Sequence, residues 1–225
     1  MQFDIITIFP NIFSSYFSES IIKRALKKKL IKIKVHNLRD FSNDKRKTVD
    51  DRPYGGGPGM ILMLEPIVKA IKKIVKKNCK RKIVVLSAKG KLFDQKMAKQ
   101  FSKLNQLIFI SGHYEGIDER VVKNIADMEV SIGNYVLTGG EVPAMAIVDA
   151  VARLIPGVIS KESLKEESFS KEDDIEYPQY TRPAIFDISK IKDFPKKTNT
   201  KYWKVPNVLL SGNHREIGEW RQSKR

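Results

Sequence analysis

The chain has 225 residues, 41% of them hydrophobic, and a formal net charge of +16. One cysteine excludes a disulfide framework and points to a reducing compartment. No leader-like segment opens the sequence, and its longest apolar run, 142–155, is broken by Asp149 and Arg153, so the reading is a cytoplasmic protein outside membranes.

Taken in chain order, 3–9 reads as a buried strand, 11–28 as a helix and 31–35 as an alternating second strand. Residues 40–60 are loop. Residues 65–77 form an amphipathic helix with Pro66 in its first turn. A short strand over 83–86, a helix over 94–103 and strands over 107–110 and 128–132 follow. A helix over 141–155 starts directly after Gly139-Gly140. Alternating strands and helices predict an α/β fold with a mostly parallel sheet and ligands beyond the strand carboxyl ends. Residues 160–177 are polar and acidic and read as a linker. Residues 178–225 form a small basic domain closed by a helix over 213–221. The positive charge suits a polyanion, because Lys and Arg that neutralise phosphates supply most non-specific nucleic-acid affinity.

Nine of the thirteen glycines fall in three stretches, DDRPYGGGPGM (50–60), GHYEGIDER (112–120) and SIGNYVLTGGEVP (131–143). Such concentration points to a site built from loops that ligand or chain approaches closely. G-x-G-x-x-G, Walker A, G-x-S-x-G and clustered His/Cys are all missing. Rossmann dehydrogenases, P-loop NTPases, serine hydrolases and zinc enzymes are thereby disfavoured. No metal ligands are assigned.

These stretches, together with DAVARLIPGV (149–158), YTRP (180–183) and VLLSGNHREIGEW (208–220), resemble in order the bacterial tRNA (guanine-N1)-methyltransferase (TrmD) family of the SPOUT superfamily. The resemblance runs from Phe3 to about Arg221. It implies a deep trefoil knot within about 83–156 of a 1–159 domain, the linker 160–177, and a small, mainly helical tRNA-binding domain over 178–225. It implies methyl transfer from S-adenosylmethionine to N1 of the guanine just 3′ of the anticodon, position 37. That modification maintains the reading frame. A homodimer with active sites at the subunit interface is also implied, as is Mg²⁺ for activity, without a dedicated site.

By the same resemblance, Leu86, Ala88, Gly112, Tyr114, Glu115, Ile132, Gly133, Tyr135, Leu137, Gly139, Gly140 and Pro143 clasp the cofactor. Read from the residues alone, Tyr135 and Leu137 are apolar cofactor walls or core, and Glu115 binds ribose hydroxyls or pairs with Arg120. Lys47, Asp50, Arg52, Gly57, Tyr180, Arg182 and His214 are the expected tRNA contacts, with Lys45 and Arg46 as further phosphate candidates.

Methylating N1 removes its proton and drives negative charge toward O6, so a carboxylate base and a cation are required. The family's motifs place the cation at Arg153, which by itself reads equally as a helix-end cation. They place the base at Glu167, in Glu-Ser-Phe where relatives have Asp-Ser-Phe. Asp173 and Asp174 substitute only if the linker register shifts. The dimer is expected to combine Arg153 and the cofactor loops of one chain with Glu167 of the other. Ala88 for proline and Asn134 for aspartate are smaller departures.

Overall fold

A computed structural model describes all residues except 166, 170–174, 192 and 196–199. Its described residues fall into two compact units, Met1–Ser160 and Lys161–Arg225.

The first unit runs β1 (Gln2–Thr7), α1 (Ile12–Phe17), α2 (Ser20–Lys27), β2 (Lys32–Asn37), β3 (Asp50–Asp51), β4 (Ile61–Leu62) and α3 (Leu64–Ile74). It continues through β5 (Arg81–Leu92), α4 (Gln95–Phe101), β6 (Gln106–Ser111), α5 (Glu119–Asn124), β7 (Met128–Ser131) and α6 (Glu141–Ala152). Five strands form one sheet in the order β2-β1-β6-β5-β7, and every pairing in it is parallel. β1 and β6 are buried at every residue, the behaviour of interior parallel strands covered on both faces.

Alternation along the strands splits the core in two. Phe3, Ile5, Val84, Leu86, Leu107 and Phe109 meet α1, α2, α4 and α6. Their neighbours Ile6, Ile83, Val85, Ile108 and Ile110 meet α3 and α5. Ile147, Val148 and Val151 of α6 are 0% exposed. Such burial contributes about 1.5–3 kcal/mol per side chain.

Several element boundaries differ from expectation. The helix expected over 11–28 is two helices, because Glu19 is extended and Ser20 has φ +49°. Phe13, Phe17, Ile22 and Ala25 all reach one core cluster. The five-residue step from Phe17 to Ile22 does not keep them on one face of a continuous helix. β5 outruns its expected end at Leu86. Leu86 and Lys91 both lie opposite Val130, so residues 87–90 bulge out and the strand resumes. The helix α5, absent from the expected elements, is capped by Asp118, whose carboxylate accepts the Arg120 backbone N–H at 2.9 Å.

The second unit carries α7 (Lys161–Lys165), β8 (Ile185–Asp187), β9 (Tyr202–Lys204) and α8 (His214–Gln222). β8 and β9 pair antiparallel. Its described residues combine this two-stranded ladder with α7, two single 3-10 turns and the nine-residue helix α8. Only Ile188 among its described hydrophobic residues is buried.

Candidate active site

The 87–90 bulge of β5 and the loops that follow β6 and β7, 112–118 and 132–140, lie together. The last is stitched to the second by main chain. Gly140 N–H donates to Gly112 C=O at 2.8 Å, and His113 bridges to Gly139. The approach is so close that a Cβ at Gly140 would lie 2.7 Å from Ser111 Cα. Glycine is thus required there by contact of chain with chain, ahead of any approach by a ligand.

Two adjoining recesses open between these loops. The smaller, about 60 Å³, is walled by Leu86, Ala88, Ile132, Gly133, Tyr135, Leu137, Gly139, Gly140 and Pro143, with Ser87, Val130 and Ser131. The larger, about 430 Å³, shares Leu86, Ser87, Ala88, Leu137 and Gly139 with it and adds Gly112, Tyr114 and Glu115. The fold therefore brings all twelve expected cofactor residues around one continuous depression. Tyr135 and Leu137 are 54% and 40% exposed. They are surface walls of the depression, and the reading of them as core is excluded.

Glu115 does not pair with Arg120. Its carboxylate accepts the Met60 N–H at 2.7 Å, while Arg120 forks onto Asp118 at 2.9 and 2.6 Å. Hydrogen bonds from Arg120 hold the Asp118 carboxyl below its usual range. Backbone bonds run from Glu115 N–H to Met60 C=O and from Leu62 N–H to Gly116 C=O. The glycine loop over 55–59 is therefore tied to the rim of the larger recess.

The expected tRNA contacts are dispersed. Asp50 pairs with Leu62 across the β3–β4 ladder, and Gly57 (φ +121°) lies in the glycine loop. Lys47 Nζ lies 3.7 Å from Asp40. Arg52 lines a separate cleft of about 520 Å³ with Tyr54, Met63, Val68 and Arg120. Lys45 and Arg46 are exposed. In the second unit, Tyr180 and Trp220 have ring centroids 6.3 Å apart, Arg182 is exposed, and His214 opens α8.

Arg153 is the C-cap of α6, twelve residues beyond its start at Glu141. That is roughly 18 Å along the axis, and Arg153 lines neither recess. One turn earlier, Asp149 accepts the Tyr16 hydroxyl at 2.5 Å, a bond that pushes the phenol up to about 12. Glu167 and Ser168 are half-buried in the second unit, where the Ser168 hydroxyl accepts the Glu176 N–H at 2.9 Å. Asp173 and Asp174 lie outside the described residues.

Sequence reasoning passed over Lys89, which lines the larger recess. Its ammonium lies 3.0 Å from Glu119 and 3.8 Å from Glu129, and these contacts raise its pKa. It also missed Thr7, His113 and Glu141, which meet beneath the Gly139-Gly140 turn. The one local signal was an acid directly after the glycine pair, at the start of a mostly apolar helix.

A parallel α/β sheet with glycine-rich loops sewn into a depression at its carboxyl edge defines a ligand-binding α/β protein of enzyme type. The chain belongs to the tRNA (Guanine-1)-methyltransferase TrmD family, whose model matches residues 1–225. It is 52% identical over 223 residues to the tRNA (guanine-N(1)-)-methyltransferase of Dictyoglomus turgidum, covering 99% of this chain and 84% of the relative. The enzyme of the same description from Clostridioides difficile is 48% identical over 225 residues, covering 99% and 91%. The crystal structure of the tRNA (m1G37) methyltransferase from Aquifex aeolicus matches with a TM-score of 0.76 at 38% identity, covering 98% of this chain and 87% of that one.

Proposed function

We infer that this enzyme transfers a methyl group from S-adenosylmethionine to N1 of the guanine immediately 3′ of the tRNA anticodon. The observation that carries the reading is the depression sewn together by the Gly140–Gly112 bond, in a chain that matches this family over its whole length. Tyr135, Leu137 and Pro143 offer apolar walls, while glycines leave main-chain N–H and C=O groups accessible for adenine. S-adenosylmethionine, when bound, supplies the methyl group.

The chain's own residues then have two tasks. Glu167 takes the N1 proton, and Arg153 holds the charge that develops on O6. Both lie away from the recess walls in sequence, and Arg153 lies at the far end of α6. A homodimer that completes each depression with Glu167 of the partner chain is therefore part of the proposal. The second unit is proposed to hold tRNA. Its exposed Tyr180, Tyr202 and Trp203 offer faces for stacking on unpaired bases.

The trefoil knot belongs to the same reading. β7 is an edge strand beyond β5, yet α6 packs against β1, β6 and α4. The return of residues 132–140 from the β7 edge past β5 supports reading this segment as the knotted thread. Among the described residues no helix is long and apolar enough to cross a membrane. A cytoplasmic location, where tRNA is found, completes the proposal.

The direct test is mass spectrometry of unmodified tRNA carrying guanine 3′ of the anticodon, after incubation with enzyme and S-adenosylmethionine. One added methyl on that base is expected, and none when adenine replaces it. An unmethylated guanine would sink the assignment.

A further inference from the structure

Glu141 opens α6 and is 4% exposed. An acid in a first helical turn gains from the helix dipole even when solvated, so burial of this one needs a separate reason. Its Oε1 accepts the Thr7 hydroxyl at 2.7 Å. Its Oε2 lies 3.8 Å from His113 Nδ1, and that nitrogen is buried with no hydrogen-bond partner among the described residues. The gap exceeds a hydrogen bond by about 0.8–1 Å.

The pair flanks the space that a side chain on Gly139 would fill. A Cβ there would lie 2.3 Å from Glu141 Oε2 and 2.5 Å from His113 Nδ1. Thr7 fixes the other side, since its Oγ1 also accepts the Phe9 N–H at 2.9 Å. Phe9 and Tyr114 hold the imidazole edge-on, at ring-centroid distances of 4.8 and 4.9 Å. Closing Nδ1 onto Oε2 therefore moves the 112–114 loop toward Gly139. Gly112, Tyr114 and Gly139 all line the larger recess. Of the remaining charged groups of that recess, Glu115 shares the loop but is bound to the Met60 N–H, while Lys89, Glu119 and Glu129 belong to the 87–90 bulge, α5 and β7.

We propose that Thr7, His113 and Glu141 are positioning residues forming a latch beneath the cofactor recess, which an Nδ1–H···Oε2 hydrogen bond closes when the recess is filled. The latch rests on the reading of that recess as the S-adenosylmethionine site. It accounts for a buried carboxylate with one oxygen matched and the other facing an orphaned nitrogen.

The test combines calorimetry with ¹⁵N NMR of the imidazole nitrogens, which three histidines in the whole chain keep tractable. In the wild type, adding S-adenosylmethionine should convert His113 Nδ1 to a protonated, hydrogen-bonded nitrogen. His113→Phe keeps the ring contacts but loses the bond, and should weaken cofactor binding about tenfold. Thr7→Val should weaken it in the same direction, while the KM for tRNA stays unchanged in both. Affinity within twofold of wild type in both variants, or an Nδ1 state unmoved by cofactor, overturns the latch and leaves the recess assignment standing. Wild-type protein that binds no S-adenosylmethionine overturns both.

Discussion

The Glu115 carboxylate holds the Met60 amide at 2.7 Å, joining the glycine loop over 55–59 to the rim of the larger recess. Gly59 permits this contact, because a Cβ on it would lie 1.8 Å from the Glu115 carboxyl carbon, and its φ is +73°. Glu115→Ala should leave the fold intact and speed amide exchange over 55–62. Gly59→Val should do the same by expelling the carboxylate. Hydrogen exchange followed by mass spectrometry reads both, and unchanged protection of this loop in Glu115→Ala would show that the tie does not order it.

Gly140→Val should abolish S-adenosylmethionine binding. Its side chain would have to displace Ser111 Cα or break the 2.8 Å bond to Gly112. Calorimetry on the variant, with circular dichroism as a check on folding, measures the effect. Normal affinity in a folded variant removes this turn from the site.

A composite site predicts complementation. Leu137→Trp projects from an exposed position into both recesses and should block cofactor binding in its own chain. Glu167→Ala should remove the base. Co-refolded in equal amounts, the two inactive chains should recover about a quarter of wild-type activity, since half the dimers are mixed and each mixed dimer has one intact site. No recovery would place Glu167 and the recess on the same chain.

For the base itself, Glu167→Gln should leave cofactor and tRNA affinities near wild type while slowing single-turnover methylation by about 10²–10⁴. Glu167→Asp restores the acid that relatives carry and should retain activity. Its carboxylate is withdrawn by roughly 1 Å, a shift that can by itself cost on the order of a hundredfold. A wild-type single-turnover rate in Glu167→Gln, with loss in Asp173→Asn or Asp174→Asn, would move the base downstream.

Asp4 governs an acid-stability prediction. Burial pushes its carboxyl upward, but hydrogen bonds from His36, Gln106 and Gln2, at 2.7 to 2.9 Å, prevail and hold it below its ordinary value of 3.8. A carboxylate depressed in the folded state stabilises the protein above its unfolded pKa. That contribution fades as pH falls below about 4, through the lower folded value. Asp4→Asn should cost about 1–3 kcal/mol at pH 7. The cost should shrink toward acid pH, as read by denaturant unfolding at pH 3, 5 and 7. A constant difference across that range would exclude ionisation as its source.

Much of this protein was legible from one dimension. Alternation and apolar runs located the five strands of the main sheet, because a parallel strand buried on both faces is mostly apolar, as the centres of β1 and β6 are. The three glycine stretches marked the loops that form the depression, since glycine is needed where chain meets chain. Boundaries such as the break at Glu19 and the resumption of β5 at Lys91 were not legible, because core packing and pairing with Val130 decide them. Partners distant in sequence were beyond reach for the same reason. Nothing local to Glu115 points to Met60, and nothing local to Glu141 points to Thr7, 134 residues away. Sequence spells out which chemistry is available. Only the return of the chain from the β7 edge past β5 decides which groups face one another, because such contacts depend on topology rather than spacing.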